Sequence, residues 1–258
     1  MKTVILAILS LLLAESGQAQ YDYPIDTYSA SDMNVKGKVK RITEVRVYTD
    51  KKGRVNNGEQ KMKYVYDFDA SGRLTSVQVF ELKSGEELER TSTYTYVGDK
   101  VSRINTKEAY VNPYTNVFSY SASQVFVRNG DGDLLEARTL SNGRVTETKY
   151  YGAGHSTYRN RYVYEYNGDG QVQKRFYKDD AEAHRKYYSS EAYQYNRSGD
   201  RQKKERYNNE GALDDISNYT YTYGSQNNWT KCSSVSYAPG EDEEDHIYTQ
   251  YTRVYEYY

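Results

Sequence analysis

The residues of this chain that could make or break bonds are few and badly spaced for doing so. Three histidines occur, His155, His184 and His246. Their spacing fits neither a structural zinc set nor a His-Glu-x-x-His helix. His155 falls in the turn Gly152-Ala-Gly-His-Ser156. His184 opens a charged strand, and His246 adjoins the acidic run Glu241-Asp242-Glu243-Glu244-Asp245. All three read as surface residues, and the acidic run as a solvated turn. Asn129-Gly-Asp131-Gly-Asp133 begins like a calcium loop, but Leu134 and Leu140 stand where such a loop needs Gly and Glu. The same residues are what tight hairpins require. Cys232 is the sole cysteine, so no internal disulfide forms. It reads as an inert, half-buried strand thiol. No catalytic residue, metal site or cofactor is expected. With 36 Asp and Glu, a carboxylate pair for glycoside hydrolysis stays open as an alternative.

Tyrosine carries the binding chemistry. The chain holds 32 of them. Tyr162, Tyr164 and Tyr166, then Tyr193 and Tyr195, then Tyr219, Tyr221 and Tyr223 each skip one residue, and Trp229 follows. Flat rings stack on the apolar faces of sugars while phenol hydroxyls make hydrogen bonds. These nine residues are the candidate ligand-binding set. The competing role of the same rings is ladder packing between strands.

Alternation also names the element that positions them. Side chains of a strand point to opposite faces in turn, so each run puts a stripe of rings on one side of a sheet. Gly-centred turns divide the runs. Phe68-Asp-Ala-Ser-Gly72-Arg-Leu74, Tyr166-Asn-Gly-Asp-Gly170 and Tyr195-Asn-Arg-Ser-Gly199 share one spacing, and Asn227 replaces Gly in a fourth copy. A second turn follows most of them, as Gly211 follows Gly199. Strands joined by such loops form hairpins. The expected fold is all-β: an antiparallel β-meander of about fifteen strands, as an extended curled sheet or an open or closed barrel. Val39, Arg41, Thr43, Val45 and Val47 share a parity and come nearest to the apolar alternation of a buried face. Later strands such as Arg201-Gln-Lys-Lys-Glu-Arg206 are polar on both faces and would rest on Tyr–Tyr, Tyr–Lys and Glu–Arg pairs. No strand shows the continuous apolar outer face of a membrane barrel.

Residues 1–19 read as a secretory signal. Lys2 precedes the apolar run Val4 to Ala14, and Gly17-Gln18-Ala19 offers small residues before a cut between Ala19 and Gln20. No Cys follows, which argues against a lipid anchor. Residues 20–34 form an extended N-terminal segment and 35–258 one β-repeat domain. With a net charge of −1, neither nucleic acid nor an anionic membrane is an expected partner.

The turn Phe68-Asp69-Ala70-Ser71-Gly72-Arg73-Leu74-Thr75 resembles the tyrosine–aspartate (YD) repeat of RHS-type bacterial surface and toxin-shell proteins. The ends, Val35-Lys-Gly-Lys-Val-Lys40 and Thr252-Arg-Val-Tyr-Glu-Tyr-Tyr258, are similar to a group of secreted Bacteroidetes proteins. The resemblance implies a repetitive β architecture and no catalytic residue. Together these features give a secreted or periplasmic, non-catalytic repeat protein. It would bind glycan or an envelope protein, or serve as a structural module. The alternatives are a carbohydrate-active hydrolase and an assembly or immunity partner that pairs through a sheet edge.

Overall fold

The computed structural model describes residues 33–55, 61–82, 85–152, 154–179 and 189–258. The expected signal segment, its cut at Ala19 and Gln20, and His184 lie outside them. The first eight strands are β1 (Val39–Thr49), β2 (Lys61–Phe68), β3 (Leu74–Glu81), β4 (Glu87–Val97), β5 (Lys100–Glu108), β6 (Val111–Tyr120), β7 (Gln124–Asn129) and β8 (Leu134–Ser141). The next eight are β9 (Arg144–Tyr151), β10 (Tyr158–Tyr166), β11 (Val172–Asp179), β12 (Ser189–Tyr195), β13 (Arg201–Tyr207), β14 (Leu213–Tyr223), β15 (Trp229–Tyr237) and β16 (Ile247–Tyr257). Each pairs antiparallel with the strand before it, and β16 pairs with β1 to close a barrel. The meander expected from the turn spacing is present, with sixteen strands where about fifteen were counted. Closure leaves no edge strand in this sheet, which removes the basis for partner capture by edge pairing.

One turn design recurs. Asp69 accepts hydrogen bonds from the amides of Ser71 and Arg73, and Gly72 takes a φ of +83°. Asn129, Asn196 and Asn208 do the same for the second and fourth residues after them, with Gly132, Gly199 and Gly211 left-handed. A short polar side chain folds the loop and glycine supplies the positive φ at no steric cost. The calcium-like segment is thus a hairpin, its Asn129 oxygen spent on two amides. The acidic run forms a single 3-10 turn, Glu243–Asp245, between β15 and β16.

The barrel has two ends. Turns after the even-numbered strands and the start of β1 share the lower end; turns after the odd-numbered strands share the upper. On β1 the buried face carries Ile42 and Glu44, while Val45 and Val47 stay partly exposed. Val45 and Val47 therefore lie on the outer face, contrary to expectation, while Val39, across the register shift before Arg41, is buried. Closure decides this, because Ile42 stands opposite Tyr66 on β2 and Tyr255 on β16 and all three turn inward. Outward positions are polar: Arg103, Asn105 and Lys107 on β5 and Thr93 and Thr95 on β4 are exposed. A wall in contact with lipid would need apolar residues there.

Bulges near the lower end set up a second regularity. The ladder slips where Leu74 meets Phe68, Val101 meets Tyr96, Val145 meets Leu140, Val172 meets Tyr166, Arg201 meets Tyr195, and Trp229 meets Tyr223. A bulge leaves a backbone group without its ladder partner. In each case a Tyr from the following strand donates its hydroxyl to that residue's carbonyl. The pairs are Tyr96 to Leu74 (2.7 Å), Tyr120 to Val101 (2.8 Å), Tyr166 to Val145 (2.6 Å), Tyr195 to Val172 (2.8 Å), Tyr221 to Arg201 (2.7 Å) and Tyr255 to Trp229 (2.8 Å). Tyrosine is needed here because it fills the apolar wall and carries a donor at its tip.

Candidate functional site

The inner wall changes character along the barrel. Toward the lower end it is apolar and tightly covered. Val39, Ile42, Tyr66, Phe68 and Leu74 form one cluster with Met33 and Val35, and Val101, Phe118, Val125 and Val127 form another. Both fall in the N-terminal half of the chain, where the aliphatic residues are. Higher up, the wall becomes a girdle of paired charges against rings. Glu136 meets Arg138 at 2.8 Å, and the Arg138 guanidinium lies over Phe118, 5.9 Å from its centroid. Arg175 donates to Glu191 at 2.6 Å and sits 5.1 Å over the Tyr162 ring, while Tyr193 donates its hydroxyl to the same carboxylate. Arg46 lies over Tyr48 and Tyr251. Guanidinium groups over aromatic faces gain from the ring quadrupole while their N–H groups serve carboxylates.

Cover thins toward the upper end. Arg90 and Glu108 approach to 4.0 Å with side chains 21% and 28% exposed, and Tyr114, which donates to Glu108, is 41% exposed. The interior is thus floored by apolar side chains and rimmed by amphipathic ones.

All nine residues expected to bind ligand project into this interior. Tyr162, Tyr164 and Tyr166 lie on β10, Tyr193 and Tyr195 on β12, Tyr219, Tyr221 and Tyr223 on β14, and Trp229 at the start of β15. They are not an outer platform. Tyr164 and Tyr193 are buried, and burial pushes both hydroxyls up. Tyr166, Tyr195 and Tyr221 are committed to bulge carbonyls, and Trp229 lies 3.9 Å beneath the Arg253 guanidinium. Tyr162 reaches the charged girdle, packed on Tyr177 at 5.1 Å. The sequence reading passed over Arg46, Arg90, Arg138 and Arg175. Their signal was an Arg on the same parity as the Tyr of a neighbouring strand, which needs the strand register to be seen.

The remaining candidates keep bland roles. His155 is exposed beside Arg159, and His246 stacks on Tyr237 at 4.6 Å. An open hollow of about 630 Å³ on the upper rim is lined by Asp50, Asp242, Glu243, Glu244 and His246, with Lys51 neutralising Glu243. Among the described residues no cluster of His, Cys, Asp and Glu could hold a metal. Cys232 is fully rather than half buried on β15, and burial raises its thiol to about 12, against the pull of the Tyr221 hydroxyl. A thiol held protonated is a poor nucleophile.

No family model matches the chain, and no curated protein matches it. Among solved structures, a porin-like protein from Bacteroides uniformis aligns over 84% of this chain and 98% of its own, at 13% identity and a TM-score of 0.42. A porin-like protein from Bacteroides vulgatus aligns over 86% and 99%, at 11% identity and a TM-score of 0.35. A DUF1329 family protein from Desulfovibrio piger aligns over 84% of each chain, at 10% identity and a TM-score of 0.29. Likeness at this level says nothing of what the chain does. The assignment to RHS-type YD repeats is overturned: no family model supports it, and the hairpins close into one barrel. The shared signature was the hairpin turn itself, since Asp or Asn followed three residues on by Gly is local turn chemistry that unrelated β proteins reach independently.

The inner-wall carboxylates Glu44, Glu136 and Glu191 are each held in an ion pair with an arginine, Arg253, Arg138 and Arg175 respectively.

Proposed function

We propose that this is a non-catalytic binding protein of the cell exterior or periplasm that takes a carbohydrate, or a glycan-bearing envelope component, into its barrel through the upper mouth. The observation that carries this reading is the gradient of the inner wall. Rings and guanidinium groups with part-exposed edges line the mouth, over an apolar floor. Aromatic faces and paired Arg and Glu side chains are the groups that grip a sugar, the first by its C–H faces and the second by its hydroxyls. The girdle's Arg138 and Arg175 are each matched by a glutamate, Glu136 and Glu191, which favours a neutral, hydroxyl-rich ligand over a strongly charged one. The leader-like first nineteen residues support export.

A glycan array probed with purified protein tests the reading, with isothermal titration on any retained sugar. Tyr114→Ala and Arg90→Ala, both at the mouth, are expected to weaken binding at least about tenfold, the scale of losing one well-placed contact. Val254→Ala, on the outer face, is expected to leave it unchanged. Retention of no sugar, or equal loss in the outer variant, would remove the proposal.

A further inference from the structure

We propose that residues 33–38 plug the lower end of the barrel, so that the interior is not a passage open at both ends. Going round the wall from β1, the order is β16, β15, β14, β13, β12 on one flank and β2, β3 on the other. The short segment before β1 touches both flanks. Asn34 donates to the Ser198 carbonyl (2.8 Å) and to the Asp200 carboxylate (3.0 Å), in the turn between β12 and β13. The Lys36 amide donates to the Asn228 side chain (2.7 Å), which returns a hydrogen bond to the Lys36 carbonyl (2.8 Å), between β14 and β15. Met33 and Val35 meanwhile are buried in the cluster that holds Phe68 of β2 and Leu74 of β3. From β3 round to β12 is half the wall. A segment that hugged one rim could not meet both limits of that arc; a segment laid across the opening does.

The local chemistry fits a permanent seat. Asn228 presents an amide donor and an amide acceptor to one residue's backbone, as a neighbouring strand would. Asp200 is a buried carboxylate that needs donors, and Asn34 and Tyr223 both supply them. Gly37 adopts a φ of +82°, and a Cβ there would come within 2.6 Å of the Gln226 side-chain oxygen. Glycine takes this positive φ at no steric cost as the chain bends over the rim. Solute would then not cross the barrel by way of its lower end, which suits holding a ligand and not conducting one.

Cys232 provides a reporter that does not depend on any ligand. Its buried thiol faces the interior, with Asp200, Tyr221, Glu44 and Arg253 as its charged and polar neighbours. Labelling by iodoacetamide would be timed in the full chain, in Asn34→Ala/Val35→Ser, and in Tyr166→Phe, which loosens the wall away from the segment. Labelling is expected to accelerate about tenfold in the double variant and to change less than about twofold in Tyr166→Phe, local opening being what each substitution alters. Equal acceleration in both, or none in either, would overturn the plug. Should the double variant not fold, hydrogen exchange of the unmodified protein decides. Protection of the Lys36 amide comparable to that of the strands supports the seal, and exchange at the rate of a free peptide refutes it.

Discussion

Glu44 and Arg253 meet at 2.7 Å across the ladder that joins the first strand to the last, and neither side chain is more than 3% exposed. Their backbones are directly paired, so the ion pair sits inside the seam that turns a sheet into a barrel. Arg253 also covers Trp229. A charge buried in this way is tolerable only while its partner remains.

Removing one partner should therefore open the seam. Glu44→Gln is expected to cost about 3–5 kcal/mol, and replacing both groups by well-packed apolar residues much less. Urea unfolding followed by circular dichroism gives both values. A loss below about 1 kcal/mol for Glu44→Gln would mean that the pair contributes nothing to closure.

The hydroxyls of Tyr166 and Tyr195 each cap the carbonyl left over by a bulge. Substitution by Phe keeps the ring and deletes the donor. Each change should cost about 1–3 kcal/mol, the penalty of an unsatisfied buried acceptor. The double variant measured in the same denaturant series should come near the sum, because the two hydroxyls serve different carbonyls.

Alkali should unfold the protein by titrating its interior. Burial raises the Tyr94 hydroxyl from 10.0 to about 12, and it also raises Tyr64, Tyr164, Tyr193 and Tyr221. A folded-state pKa above the unfolded value means that stability is complete below pH 10 and drains away as pH rises through the folded value. Tyr94 alone contributes about 2–3 kcal/mol to that loss. Phenolate absorbance should rise late and together with loss of the β signal. A smooth titration centred near pH 10 with the fold intact would contradict the buried stripe.

Tyr110 sits at the tip of the hairpin between β5 and β6, fully exposed, with a φ of +67°. A side chain in that conformation carries strain of about 1–2 kcal/mol and here returns no burial. Tyr110→Gly should raise stability by up to about 1 kcal/mol, readable as a higher midpoint in thermal unfolding. A lowered midpoint would show that the ring makes contacts after all.

The sequence by itself determined the elements. Period-two tyrosine runs and turns built from Asp or Asn with a following Gly are local properties, fixed by the pleat and by positive φ. The strands, their order and their antiparallel pairing were legible from them. The same locality explains the false kinship with YD repeats, because a turn motif marks a hairpin and not a lineage. Tertiary structure alone decided the rest. Whether a meander stays open or closes depends on Val39–Thr49 meeting Ile247–Tyr257 from opposite ends of the chain. Closure then chose which parity is inside, turning Ile42, Glu44 and the tyrosine rings inward and Val45 and Val47 out. It also brought Arg175 over Tyr162 and Asn34 to Asp200. Those contacts depend on register and curvature summed over many strands, and no window along the chain contains that sum.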